Sequence, residues 1–322
     1  MTLLDKLLQL LVAIAIFAAV MGLVLVVADR VRGRRADRWQ GFAFVAPAVL
    51  LLLVGLIYPA VRTAYQSFFD GNSVNFVGLD NYLTIFTQPE LLLVLRNTFL
   101  WVIITPLVAT GIGLVYAVLV DNTRFESFAK ALIFLPMAIS FVGASIIWKF
   151  IYEYRPNQQN IQQIGVINQF LVWIGLEPVN LLLQQPWNNL LLIVVMIWIQ
   201  AGFAMTVLSA SIKAIPDDIT EAARLDGVGG LRMFFYITLP SIRPALVVVV
   251  TTISIGVLKV FDIVRTMTGG QFSTSVVANE FYTQSFRANE LGIGSALAMI
   301  LFVLVVPIVI YNVRQMRKVD AR

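Results

Sequence analysis

Residues 188–265 read NNLLLIVVMIWIQAGFAMTVLSASI (188–212), KAIPDDITEAARLDGVGGLRMFFYITLPSIR (213–243) and PALVVVVTTISIGVLKVFDIVR (244–265). The outer segments are apolar runs of more than twenty residues. At 1.5 Å per residue each crosses the roughly 30 Å of a bilayer's hydrocarbon. Between them lies a short polar segment with acids, glycines and prolines. Apolar blocks of this length, rather than alternating runs of about ten, indicate membrane helices and not an outer-membrane barrel.

The pattern recurs along the chain. Further apolar runs lie at 8–28, 41–60, 98–120, 131–151 and 293–312, which makes seven expected spans. The composition agrees: of 322 residues 59% are hydrophobic and 13% charged, where soluble domains average about a quarter charged. The reading is all-α and polytopic. It divides into an N-terminal anchor helix with a basic loop (1–40) and a transmembrane domain (41–322) that carries the loop 213–243. The segments 61–97 and 152–187 read as short interfacial helices and loops, with Trp101, Trp148, Trp173 and Trp187 near the headgroups.

Orientation follows from charge. Fifteen of the 23 basic residues fall in the loops 29–40, 121–130 and 213–243 and in the tail, against five on the other side. By the positive-inside rule the N-terminus is outside and the C-terminus cytoplasmic. The first span has Lys6 before it and Arg30, Arg32, Arg34, Arg35 and Arg38 after it, the reverse of a signal peptide, so an N-out anchor is expected. The net charge of +5 is spread over short loops rather than a soluble face. Lipid is therefore the expected surrounding, and nucleic acid is not an expected partner.

Cysteine and histidine are both absent. That removes disulfides, thiol nucleophiles, Cys/His metal sites, histidine proton relays and Ser-His-Asp triads. No Gly-x-x-x-x-Gly-Lys-Ser/Thr loop occurs, so the chain does not cradle ATP phosphates by that route.

Local chemistry gives the 213–243 loop a shape. Pro216 suits a first helical turn, and Asp217, Asp218 and Glu221 put negative charge near that helix's positive end. Ala222 and Ala223 are compact helix formers, and Gly227 is placed to end the helix in a left-handed conformation. A second short helix is expected over about 230–237, ending at Leu239-Pro240. Two readings stay open on physics alone: a docking surface for another protein, or a hairpin that only joins two spans.

Span six holds Lys259, Asp262 and Arg265 at i, i+3 and i+6, and Thr252 and Gly256 extend the stripe. Ionisable groups in a span face a bundle interior or a wet cavity. The stripe could line a pathway for a hydroxyl-rich ligand, or Lys259 and Asp262 could pair internally with Arg265 snorkelling. In span five, Trp198 and Gln200 could meet ligand or serve helix contacts.

Glu221-Ala222-Ala223, Asp226-Gly227, Phe234, Ile237 and Leu239-Pro240 stand in the spacing E-A-A-x-x-D-G-x-x-x-x-x-x-F-x-x-I-x-L-P. This resembles the coupling loop of binding-protein-dependent ABC importer permeases, with Val228 where the family often has alanine. The resemblance implies that the loop docks in a cleft of an ATPase subunit. Glu221 would pair with a basic group there, Ala222 and Ala223 would permit close fit, and Gly227 would permit the turn.

The segments LKVFDIVRTMTGG (258–270), FVGLDNYLTIF (76–86) and VVPIVIYNVRQMRK (305–318) resemble the sugar branch of that family. They are similar to alpha-glucoside and glucosylglycerol permeases over residues 41–322. The implied function is import of a sugar or sugar-like osmolyte by alternating access in the inner membrane, with no bond of the cargo broken. The implied partners are a second permease subunit, two ATPase subunits that hold ATP and Mg, and an extracytoplasmic solute-binding protein. The chain itself would hold no cofactor. The substrate-lining candidates are Lys259, Asp262, Gly256, Thr252, Trp198 and Gln200. The rival readings are an ion-coupled secondary transporter, which needs no such loop, and an intramembrane carboxylate enzyme.

Overall fold

The structure, a computed structural model, describes residues 3–30, 36–121, 123–156 and 163–320. The basic residues Arg32, Arg34, Arg35 and Arg322, used above for orientation, lie outside the described residues. The chain divides into two compact units, 1–65 and 66–322.

The first unit holds α1 (Leu3–Arg30), α2 (Ala36–Leu52) and, after a π-helical stretch at Leu53–Ile57, the start of α3 (Tyr58–Gln66). Most of its described side chains are exposed and apolar. The π stretch has a local cause. Pro59 has no N–H for the carbonyl four residues back, and its ring presses on that carbonyl. The wider turn, closed by Tyr58 N–H to the Leu53 carbonyl, moves it aside.

The second unit continues with α4 (Asp80–Thr87), α5 (Pro89–Val120), α6 (Glu126–Phe134), α7 (Phe141–Ile151), α8 (Val166–Trp173), α9 (Trp187–Lys213), α10 (Asp217–Leu225), α11 (Gly230–Met233), α12 (Leu239–Ser241), α13 (Arg243–Leu258), α14 (Asp262–Met267), α15 (Val277–Phe286) and α16 (Leu291–Asp320). Among the described residues five helices are long and apolar enough to cross a membrane alone, and two bent pairs raise the candidate crossings to seven. Each of the seven expected spans overlaps one of these segments.

Two of them are not straight. The expected span 131–151 is two helices bent by 102°. Pro136 lies in a 3-10 turn over Leu135–Ala138, and the Ser140 hydroxyl then caps α7 by accepting the Gly143 N–H at 3.1 Å. The expected span 244–265 stops at Leu258, and α14 starts anew at Asp262.

The packing centre is α5 against α9, with α13 beside them. In α5 the small residues Ala109, Gly113 and Ala117 recur every fourth position and are buried. Helices that cannot gain from excluding water gain from close backbone approach, which such stripes permit. A Cβ on Gly113 would lie 2.5 Å from the Ala204 Cβ and 2.6 Å from the Met205 nitrogen. A Cβ on Gly202 would lie 2.5 Å from the Ile133 carbonyl oxygen. Helix α9 is thus gripped on one side by α5 and on the other by the end of α6.

Trp101, expected near the headgroups, is instead fully buried in this core. Its indole N–H donates to Asn189 Oδ1 at 2.9 Å. The Asn97 amide donates to the Ser273 and Ser275 carbonyls at 2.8 and 3.0 Å, and Asn188 donates to the Phe272 carbonyl at 2.7 Å. These buried amides pin the loop between α14 and α15, where Gly269, Gly270, Phe272 and Ser273 all have positive φ. Trp173 and Trp187 are exposed.

Candidate functional site

The residues singled out in the sequence form two groups. The first is the hairpin of α10 to α12. Pro216 does not enter the first turn but stands just before it, in extended conformation, and α10 opens with Asp217 and Asp218. Their charge offsets the helix's positive end.

The far end closes as a Schellman motif. The Val228 N–H donates to the Ala223 carbonyl and the Gly227 N–H to the Arg224 carbonyl, both at 3.0 Å. Gly227 has φ +75, in the left-handed region that favours glycine, with nothing within 4 Å of where a Cβ would stand. Backbone conformation, not space, asks for glycine here.

The second helix ends at Ser241, one residue past the expected Leu239-Pro240. It runs from α11 through a π stretch at Phe234–Thr238 into α12, and the chain bends by 68° into α13. Pro240 follows its π stretch as Pro59 follows the first, for the same steric reason. Phe234 and Phe235 meet edge to face at 5.0 Å.

Exposure sorts the hairpin residues. Glu221, Ala222, Asp226 and Gly227 are exposed, and Leu239 is half-buried beside exposed Pro240. Ala223 is 7% exposed and turned inward, so its small size serves the hairpin's own packing rather than an outer contact. Sequence reading missed Leu225, Leu231 and Tyr236, which are 89%, 79% and 77% exposed. Burying a leucine on contact gains about 1.5–3 kcal/mol. A cavity of about 330 Å³ opens at the hairpin's base, lined by Ala214, Ile215, Pro216, Ile219, Ile242 and Pro244.

The second group surrounds the break after α13. Lys259, Asp262 and Arg265 do not form one helical stripe, because the helix is interrupted between the first and second. Each instead sits at a helix end. Lys259 closes the negative end of α13, Asp262 opens the positive end of α14, and Arg265 lies in the last turn of α14. All three signs match the local dipole, which is a physical reason for the break to fall there.

Lys259 and Asp262 form no ion pair with each other; the ion pairs among the described residues all lie elsewhere. Lys259 is exposed and Asp262 half-buried. Arg265 lies 4.8 Å from the centre of the Tyr282 ring, and the Phe261 ring is 5.3 Å from the same tyrosine. Phe261 and Tyr282 were not legible as site residues, since Tyr282 comes from a different helix.

Thr252, Gly256 and Lys259 share the open side of α13. Thr252 is exposed, and nothing lies within 4 Å of a Cβ on Gly256. The opposite side buries Val249, Ile253 and Val257. In α9, Trp198 and Gln200 are two residues apart and do not share a face. Trp198 meets Trp148 of α7 edge on at 5.7 Å, and Trp148 packs on Tyr152 at 5.3 Å. Gln200 is half-buried. Helix α7 also packs on α14, so Trp198 borders the break through α7.

Residues 90–318 match a family described as the binding-protein-dependent transport system inner membrane component. The chain is similar to the osmoprotective compounds uptake permease protein GgtC of Synechocystis sp., with 48% identity over 274 residues, 85% of this chain and 98% of that one. It is 45% identical over 282 residues to the alpha-glucoside transport system permease protein AglF of Rhizobium meliloti, covering 87% of this chain and 83% of that one. Among solved structures, a bacterial ABC transporter involved in the import of the acidic polysaccharide alginate superposes with a TM-score of 0.75 at 22% identity, over 88% of this chain and 97% of that one. At that identity the likeness shows the fold.

Proposed function

The chain belongs to the family of binding-protein-dependent transport system inner membrane components, and from that premise we propose how its two residue groups divide the work. It is a multi-pass inner-membrane subunit of an ABC importer, a transport protein rather than an enzyme. The proposed cargo is a sugar or sugar-like osmolyte of the alpha-glucoside class, from the names of the two relatives at 45–48% identity. The N-terminus is outside and the C-terminus cytoplasmic, so the α10–α12 hairpin faces the cytoplasm.

The hairpin docks an ATPase subunit. The observation that carries this is its surface: Glu221, Ala222 and Asp226 exposed beside Leu225, Leu231 and Tyr236. Exposed leucines on a hydrogen-bonded, glycine-capped turn have the chemistry of an interface waiting for its other half. Glu221 supplies the charge for a basic group of the ATPase. ATP and Mg bind two such subunits, not this chain. A second permease subunit completes the pathway, and an extracytoplasmic binding protein delivers cargo.

Lys259, Asp262, Thr252 and Gly256 line the pathway on the open side of α13 and its broken end, with Trp198 and Gln200 of α9 nearby. Lys259, exposed, and Asp262, half-buried, make no ion pair with each other at the broken end of α13, and charged groups at the end of a span turn to water rather than lipid. A wet pathway accommodates them, and one donates while the other accepts hydrogen bonds from hydroxyls.

The test is purification of the chain with its companion subunits, followed by ATP hydrolysis and uptake measurements with Glu221→Ala. Removing one member of a buried interfacial ion pair lowers ATPase-subunit retention by about tenfold or more. Uptake that persists without any ATPase subunit refutes the importer reading. Retention and coupling unchanged in Glu221→Ala refute the docking role.

A further inference from the structure

All three ion pairs among the described residues lie in one corner, where the end of α5, the start of α6 and the end of α9 meet. Lys130 of α6 is the hub. Its ammonium contacts the Asp121 carboxylate, donates to Glu126 at 2.8 Å and donates to the Ser209 hydroxyl of α9. Ser209 in turn donates to Asp121 Oδ1 at 2.7 Å, which closes a ring across three elements. Glu126 also holds Lys213, the last residue of α9.

The ring is graded in burial. The Asp121 side chain is 5% exposed, whereas that of Lys213 is 48% exposed. Replacing a buried ion pair with apolar side chains is often neutral for stability, so the part these charges play is sought in the geometry they fix. Beside the ring, a groove of about 520 Å³ between α6 and α9 is lined by Ser127, Ala131, Phe134, Thr206 and Ala210. At this end the two helices are joined by polar groups with space alongside, whereas further along they meet directly at Ile133 and Gly202.

Position gives the ring its meaning. Lys213 stands three residues before Pro216, at the root of the hairpin. Helix α6 leads through the bend at 135–140 into α7, and α7 packs on α14, which carries Asp262 and Arg265. We infer that Asp121, Glu126, Lys130 and Lys213 form a clamp that makes α6 move with the hairpin root. Displacement of the hairpin then reaches the bent α6–α7 pair and, through it, the charged end of α14. Lys130 and Lys213 are positioning residues and touch no cargo. The clamp rests on the reading of the hairpin as an ATPase-docking surface.

The chain contains no cysteine, so two can be introduced for spin labels, at exposed Asp218 of α10 and exposed Phe128 of α6. The label-to-label distance is measured in the assembled complex without nucleotide and trapped with ATP and vanadate. In the labelled parent it stays the same in both states. In Lys213→Gln and Lys130→Gln it changes on trapping, and Lys213→Arg restores the parent behaviour. ATP hydrolysed per cargo molecule imported rises in the glutamine variants and returns to the parent value in Lys213→Arg.

A parent whose labels already separate on trapping overturns the clamp. So do glutamine variants whose labels keep the parent distance. If Lys130→Gln fails to assemble, half-exposed Lys213 decides alone. Failure of the docking reading is distinct: ATPase subunits are then retained equally by Glu221→Ala and parent, whatever the labels report.

Discussion

Gly227 offers a prediction that separates backbone conformation from contact. Its φ of +75 costs an alanine about 1–2 kcal/mol. Asparagine enters that region far more readily. Because nothing lies within 4 Å of the Cβ position, neither residue meets its own chain. If the turn must stay formed to dock, Gly227→Ala weakens ATPase binding by about five- to thirtyfold, since each 1.4 kcal/mol is tenfold. Gly227→Asn stays near the parent. Gly227→Pro also removes the N–H held by the Arg224 carbonyl and fixes φ near −65°, and abolishes binding. The assay is titration of purified ATPase subunit onto the chain in nanodiscs. A result with asparagine weaker than alanine refutes the conformational account, because it ranks the variants by size.

Four further outcomes are expected. Gly202→Ala pushes a methyl against the Ile133 carbonyl and costs about 1–3 kcal/mol; a thermal midpoint in detergent equal to that of Gly256→Ala, where space is open, counts against it. Asn189→Ala strands the buried Trp101 N–H and costs about 1–3 kcal/mol, read in the same melts. Asp262→Ala lowers uptake about tenfold or more while ATPase retention holds, the scale of a lost charge-assisted hydrogen bond; unchanged uptake and affinity remove Asp262 from the pathway. The Val74 N–H and the Asn75 amide hold the Asp70 carboxyl below its usual value. A lowered folded pKa means the turn is supported above the unfolded value of about 3.9 and loses that support as pH falls through the folded one. The protection factor of the Val74 amide, its exchange corrected for the intrinsic pH dependence, is therefore unchanged from pH 7 to about 5 and falls only in stronger acid; Asp70→Asn removes that acid step.

Seven apolar runs and a glycine-stopped loop were legible because both are written in local composition. The bends were harder to see. Pro136 and Ser140 carried the signal for the α6–α7 break, but a continuous apolar run masked it. The break after Leu258 contains neither proline nor glycine, and reading Lys259, Asp262 and Arg265 by helical periodicity assumed the helix it was meant to test. Ala223 looked like a surface residue because alanine is equally at home on either side of a helix. Contacts between distant segments, such as Arg265 over Tyr282 or Lys130 between Asp121 and Ser209, have no signature in spacing at all.

Main chain meets neighbouring helix at Gly113 and Gly202. A spacing set by carbonyls and amides does not depend on which side chains fill the remaining room. The distance of α9 from α5 and α6 is therefore set by main chain at these two points. Side chains elsewhere on α9 then stand on a scaffold whose dimensions are fixed by backbone. A protein engineer altering selectivity would do best to leave those two glycines alone.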